Sequence, residues 1–161
     1  VGRLDSRFKG IDKDIVEARP EHDPAMAATR PPYTAMVNDY IRRQLKFLTD
    51  EPYHVFGEKL WEKWDWGSAS QGHPDTSDAL RDAMSKNPYM KVLIASGYYD
   101  LATPYFATEW TLGHMGLDPT LRGNITTEEF EAGHMMYIDE KCLRQLKSAA
   151  SRFLRDASNP G

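Results

Sequence analysis

Long apolar runs are missing from this 161-residue chain, and so are cysteine pairs, basic clusters and a glycine-flanked serine. No apolar stretch approaches the roughly 20 residues that a helix needs to cross a bilayer, so no membrane contact is expected. Cys142 is the only cysteine, which excludes an internal disulfide and a cysteine-built zinc site. Its place in an amphipathic stretch predicts a buried thiol. Lysine and arginine are scattered, with no basic run longer than Arg42-Arg43, and the formal charge is −4. That balance speaks against a nucleic-acid partner. The five histidines, His22, His54, His73, His114 and His134, show no paired-ligand spacing, so neither a metal nor another cofactor is expected. "VGRLDSRFKG" has no charged segment leading into an apolar one and starts at Val1, so the chain is expected to be processed or cut at its front.

What is present begins with turn formers. Gly2, Gly10, Pro20, Pro24, Pro31 and Pro32 predict loop and turn over residues 1–32. Met36, Val37, Tyr40, Ile41, Leu45 and Leu48 then recur at helical spacing, predicting a helix over about 33–49. "EPYHVF" reads as a short extended piece. "LWEKWDWG" carries Trp61, Trp64 and Trp66, expected to staple layers together, with a ligand-stacking surface as the alternative. Residues 67–76 read as loop.

Regular alternation follows. "SDALRDAMSKN" predicts a short helix capped by Thr76 or Ser77 and stopped at Asn87-Pro88. "MKVLIAS" is a continuous apolar strand of the kind buried on both faces of a parallel sheet. Thr103 and Pro104 predict the cap and first turn of another helix, running to about Gly116. "GNITTEEFEAG" gives a second strand. Asp139 is placed to cap a last helix with an apolar stripe of Leu143, Leu146, Ala150, Phe153 and Leu154. Helix, strand, helix, strand, helix is part of an open α/β sheet with parallel neighbours. Two strands leave every edge exposed, so the pattern reads as a fragment. The division expected is a linker and helical segment over 1–76 and an α/β segment over 77–161.

Asp100 stands at the carboxyl end of the first strand and His134 at that of the second, where open α/β sheets carry their functional groups. A carboxylate accepting from the imidazole Nδ1–H fixes the tautomer and stabilises the imidazolium formed during general-base work. Gly97 and Gly133 precede the two residues and predict tight turns. The order Asp then His is that of α/β-hydrolases, whose nucleophile precedes both. The bland alternative is an aspartate capping a turn beside an exposed loop histidine. Glu128, Glu129 and Glu131 read as a solvated acidic face, and His114 as a capping or surface residue. Asn124-Ile125-Thr126 matches the glycosylation acceptor, which matters only in a secretory route.

"KVLIASGYYDLATPYFATEWTLGH" with "FEAGHMMYIDEKCLRQL" resembles the closing segment of the serine carboxypeptidase family, within the α/β-hydrolase fold. "VGRLDSRFKG" and "PYTAMVNDYIRRQL" look like the segment that joins the helical cap to the catalytic core in bacterial members. The resemblance implies that residues 1–76 derive from the cap and linker, and that 77–161 form the C-terminal part of the hydrolase sheet. It further implies that Asp100 is the triad acid, His134 the triad base and Met135 a wall of the pocket for the departing residue. A peptide substrate and a secreted or periplasmic setting are also implied.

The departure from that family is the nucleophile. None of Ser6, Ser68, Ser70, Ser77, Ser85, Ser96, Ser148, Ser151 and Ser158 has glycine two positions before and two after, and "GSASQG" fails the spacing. The expectation is therefore a piece with two triad members, inactive alone, whose parent hydrolyses C-terminal peptide bonds. Two alternatives stay open: an acyltransferase with the same triad, and a non-catalytic association domain that dimerises through exposed strand edges.

Overall fold

The computed structural model describes residues 1–11, 22–55, 57, 59–67 and 75–159. Helices and strands are mixed, and five α-helices accompany two strands among the described residues. Strand β1 (Val92–Gly97) and strand β2 (Ile125–Phe130) pair in parallel, from Val92 opposite Ile125 to Gly97 opposite Phe130. The crossover between them carries helix α4 (Tyr105–His114) and a 3₁₀ turn (Pro119–Asn124). Helix α3 (Ser77–Lys86) precedes β1 and helix α5 (Glu140–Ser158) follows β2.

Because side chains alternate along a strand, Val92 and Ile125 share one face and Phe130 takes the other. Each face has a small core. Met84 of α3, Met115 and Leu117 are buried together on the Val92–Ile125 side, with Leu80, Met90 and Leu112 packed around them. Phe130, Ala132, Met136 and Cys142 form the second cluster, closed by Leu146 of α5. Cys142 is buried, and burial pushes its thiol above the ordinary range. Asp139 caps α5 by accepting from the Cys142 N–H at 2.8 Å.

Several expectations are corrected. The first helix, α1 (Pro24–Asp39), begins inside the stretch read as loop and ends in a π-helical turn (Tyr40–Gln44). Asp23 caps it, accepting from the Ala25 and Met26 N–H groups at 2.8 and 3.2 Å, and Pro24 takes the first position, where no donor is missed. Pro31 and Pro32, read as turn formers of that loop, lie inside the helix. Residues 12–21 of the expected loop lie outside the described residues.

The short helix α2 (Leu60–Lys63) precedes Trp64 and Trp66, whose rings meet at 6.4 Å and are exposed rather than buried as staples between layers of the described residues. Residues 51–55 form no strand, and 68–74 of the expected loop, with most of "GSASQG", lie outside the described residues. Strand β1 is half-buried over most of its length, not buried on both faces. Leu143 and Leu154 of the α5 stripe are exposed, while Cys142 and Ala149 are buried in their place. Thr76 holds the cap position of α3, as expected, but without a side-chain cap bond; Asp75, one residue earlier, accepts from the Ser77 N–H at 2.9 Å.

Candidate acid–base site

The site lies where both strands end. Beyond Gly97 and Phe130 the backbone keeps pairing for two more residues. Tyr98 N–H donates to Phe130 O at 3.0 Å and Tyr99 N–H to Ala132 O at 3.0 Å. Asp100 and His134 thus leave the sheet side by side. Gly97 is needed for close approach: a Cβ there would press into the carbonyls of Gly133 and Ala132, 2.5 Å from the latter. Gly133 is held likewise, since its Cβ would meet Leu4 O and come 2.5 Å from Asp5 Cβ. A tight turn does follow Gly97, whose carbonyl accepts from the Asp100 N–H at 3.2 Å, but what bars a side chain at both glycines is the contact between loops.

His134 Nδ1 and Asp100 Oδ2 are 2.8 Å apart. Asp100 is only 4% exposed, whereas the His134 side chain is 45% exposed. The carboxylate is fully engaged. Oδ1 accepts from the N–H groups of Ala102 and Thr103 at 2.7 and 3.0 Å, and Oδ2 accepts from Thr103 Oγ1 at 2.6 Å as well as facing His134. Burial works against its charge, but the Thr103 side-chain and backbone donors, His134 and the Ala102 N–H outweigh it. The Asp100 carboxyl is held below the ordinary carboxylate range. An ionised acceptor at Nδ1 makes that nitrogen the donor and leaves Nε2 with its lone pair. Among the described residues no hydrogen bond engages Nε2. Such an imidazole can take a proton at Nε2 while the carboxylate steadies the resulting charge.

Thr103 belongs to this site and not to the cap of α4. Pro104 holds the cap position, and the Thr103 hydroxyl donates to Asp100 and lies 3.3 Å from His134 Nδ1. Spacing alone suggested the cap; the Asp-x-x-Thr interval, which lets a hydroxyl reach back to its carboxylate, is the signal that would have found it. Met135 sits half-buried beside His134, and its carbonyl accepts from the Ile138 N–H at 3.1 Å. His114 stays at the surface, stacked on Trp110 at 4.2 Å and bonded through Nδ1 to Trp110 O at 2.7 Å. Of the acidic group, Glu128 pairs with Arg152 and Glu131 lies 3.7 Å from Lys141. Asn124, in the glycosylation-like triplet, donates to Pro88 O at 2.7 Å and accepts from Lys91 at 2.5 Å.

The first residues of the chain also reach this rim, which no sequence pattern announced. Leu4 O accepts from His134 N–H at 2.7 Å, Ser6 N–H donates to Tyr99 O at 2.9 Å, and Leu101 N–H donates to Arg3 O at 2.9 Å. Asp5 is buried and bound twice by the Arg7 guanidinium, at 3.0 and 2.7 Å. Desolvation opposes the Asp5 charge, yet the Arg7 side chain and backbone donors and the Gly133 N–H hold its carboxyl below the ordinary range.

Among the described residues no group of three or more His, Cys, Asp or Glu side chains is arranged to hold a metal ion, and no helix is long and apolar enough to cross a membrane. Comparison with protein-family models, with curated proteins and with solved structures finds no match to the chain.

Proposed function

We propose that the chain supplies the acid–base half of a Ser-His-Asp hydrolase of the serine carboxypeptidase type. The observation that carries this reading is the 2.8 Å contact between Asp100 Oδ2 and His134 Nδ1 at the common rim of two parallel strands, with the His134 side chain part-exposed and no described hydrogen bond at Nε2. In this reading β1 and β2 are the closing strands of a larger hydrolase sheet, and residues 1–76 descend from its cap and linker. His134 takes the proton of a serine hydroxyl as it attacks the C-terminal peptide bond, then returns it to the leaving amine. Water opens the acyl-enzyme by the same route in reverse. Met135, next to the base, walls the pocket for the released residue.

The nucleophile comes from a second polypeptide segment, because no serine of this sequence stands in Gly-x-Ser-x-Gly. Alone, the chain is inactive: losing the serine of a comparable triad costs about 10⁶ in turnover. The test is to combine it with a polypeptide carrying that motif and follow release of the C-terminal amino acid from a peptide. Asp100→Asn is expected to lower turnover by roughly 10⁴, with His134→Ala lower still. A stable assembled pair that releases no amino acid would end this reading. Transfer to an added alcohol in place of water would identify the acyltransferase alternative.

A second reading, a non-catalytic association module, draws on a different observation. The outer edges of β1 and β2 pair with no other described strand, and large apolar side chains such as Phe106, Trp110 and Leu154 are exposed.

A further inference from the structure

The segment Arg3–Phe8 crosses the rim of the sheet and touches both loops that carry the pair. On the Asp100 side it holds the backbone of Tyr99 and Leu101, through Ser6 and Arg3. On the His134 side it holds the N–H of His134 itself through Leu4 O. Arg7 joins the two sides. Its guanidinium lies 4.7 Å from the centre of the Tyr99 ring, next to Asp100. Its Nη1 donates to Glu131 O at 3.1 Å, at the start of the His134 loop. Nε and Nη2 grip Asp5, whose buried carboxylate lies against Gly133. One planar cation therefore uses its flat face and three nitrogens in four contacts with three residues, a geometry that an ammonium cannot reproduce.

We propose that Arg7 is a positioning residue for the Asp100–His134 pair: through Tyr99, Asp5 and Glu131 it fixes the two strand-end loops at the separation their hydrogen bond requires. This rests on the reading of that pair as an acid–base unit. A cation at the rim that served only stability would protect the whole chain equally. Arg7, by contrast, acts on the bond between two side chains it does not touch. Its removal releases the His134 loop at Glu131 and leaves Asp5, against Gly133, without its cation, while the Met84 core, built by α3 and α4, keeps its contacts.

The experiment is solvent exchange of the His134 Nδ1–H, followed by nuclear magnetic resonance in the full chain. Asp100→Asn, Arg7→Ala and Arg7→Lys are compared with the wild type, and the Met84 amide reports the core. In the wild type the ring proton is protected, and Asp100→Asn abolishes that protection. Arg7→Ala is expected to speed its exchange at least about tenfold, as loss of hydrogen bonds to charged groups implies. Arg7→Lys is expected to restore little of the protection, and the Met84 amide to stay unchanged in both Arg7 variants. Unchanged ring-proton exchange in the Arg7 variants overturns the proposal while leaving the pair intact. Equal acceleration at Met84, or loss of helical signal in both Arg7 variants, reduces Arg7 to a general stabiliser and also overturns it. A ring proton that is unprotected in the wild type, or that survives Asp100→Asn, removes the acid–base pair and this inference together.

Discussion

Asp100 is a buried charge with four donors around it, and its value to the fold depends on pH in a fixed direction. Its carboxyl is depressed in the folded chain, while the unfolded value lies near about 3.9. Its contribution is therefore complete above about pH 4 and disappears as pH falls through the folded value, because the unfolded chain takes up the proton first. Asp100→Asn should lower the thermal midpoint clearly near neutrality, and the gap to wild type should close on acidification. A gap that widens in acid would contradict the sign. Asp5, depressed with Arg7 as its partner, follows the same rule. Gly97 offers a test independent of charge. Gly97→Ala drives a methyl into the Ala132 and Gly133 carbonyls and should cost about 1–3 kcal/mol in denaturant unfolding, with the ring proton of His134 losing protection.

Among the elements, those with a strong period were legible from sequence: α3, β1, α4, β2 and α5 all fall within the stretches that helical spacing, apolar runs and caps indicated. The strand-end positions of Asp100 and His134 followed from those elements. Helix α1 was misplaced because proline counts as a breaker, whereas Asp23-Pro24 is an acceptor followed by a first-turn position, where the missing donor has no intrahelical partner to lose. Asp23 also accepts from Arg3 N–H at 2.9 Å and Leu4 N–H at 3.4 Å, tying the start of α1 to the crossing segment. Asp23→Ala should therefore cost about 1–2 kcal/mol in unfolding experiments, more than half of it from the cap. Pro31 and Pro32 act oppositely. Each deprives a carbonyl four residues earlier of its donor, and only the first part of α1 is buried, at Ala25 and Thr29. Replacing both with alanine should increase the helical circular dichroism and stabilise α1 by about 1 kcal/mol or more. The role of residues 3–8 was not legible, because backbone bonds to positions far along the chain leave no period in the sequence.

At the scale of the molecule, two small clusters among the described residues replace a single large core, and the outer edges of β1 and β2 pair with no other described strand. Unpaired edges attract further strands, so the isolated chain should self-associate as concentration rises, read by sedimentation velocity over a dilution series. A monomer at every concentration would count against the association reading. The crossing of Arg7 over the rim has a consequence for biogenesis. Arg7 meets Glu131 across 124 positions of sequence. On the ribosome the clamp emerges well ahead of its receptor, so the imidazole stays loose until the residues around Glu131 have followed it out. Any activity that depends on that imidazole is thereby withheld from nascent chains that still lack the receptor.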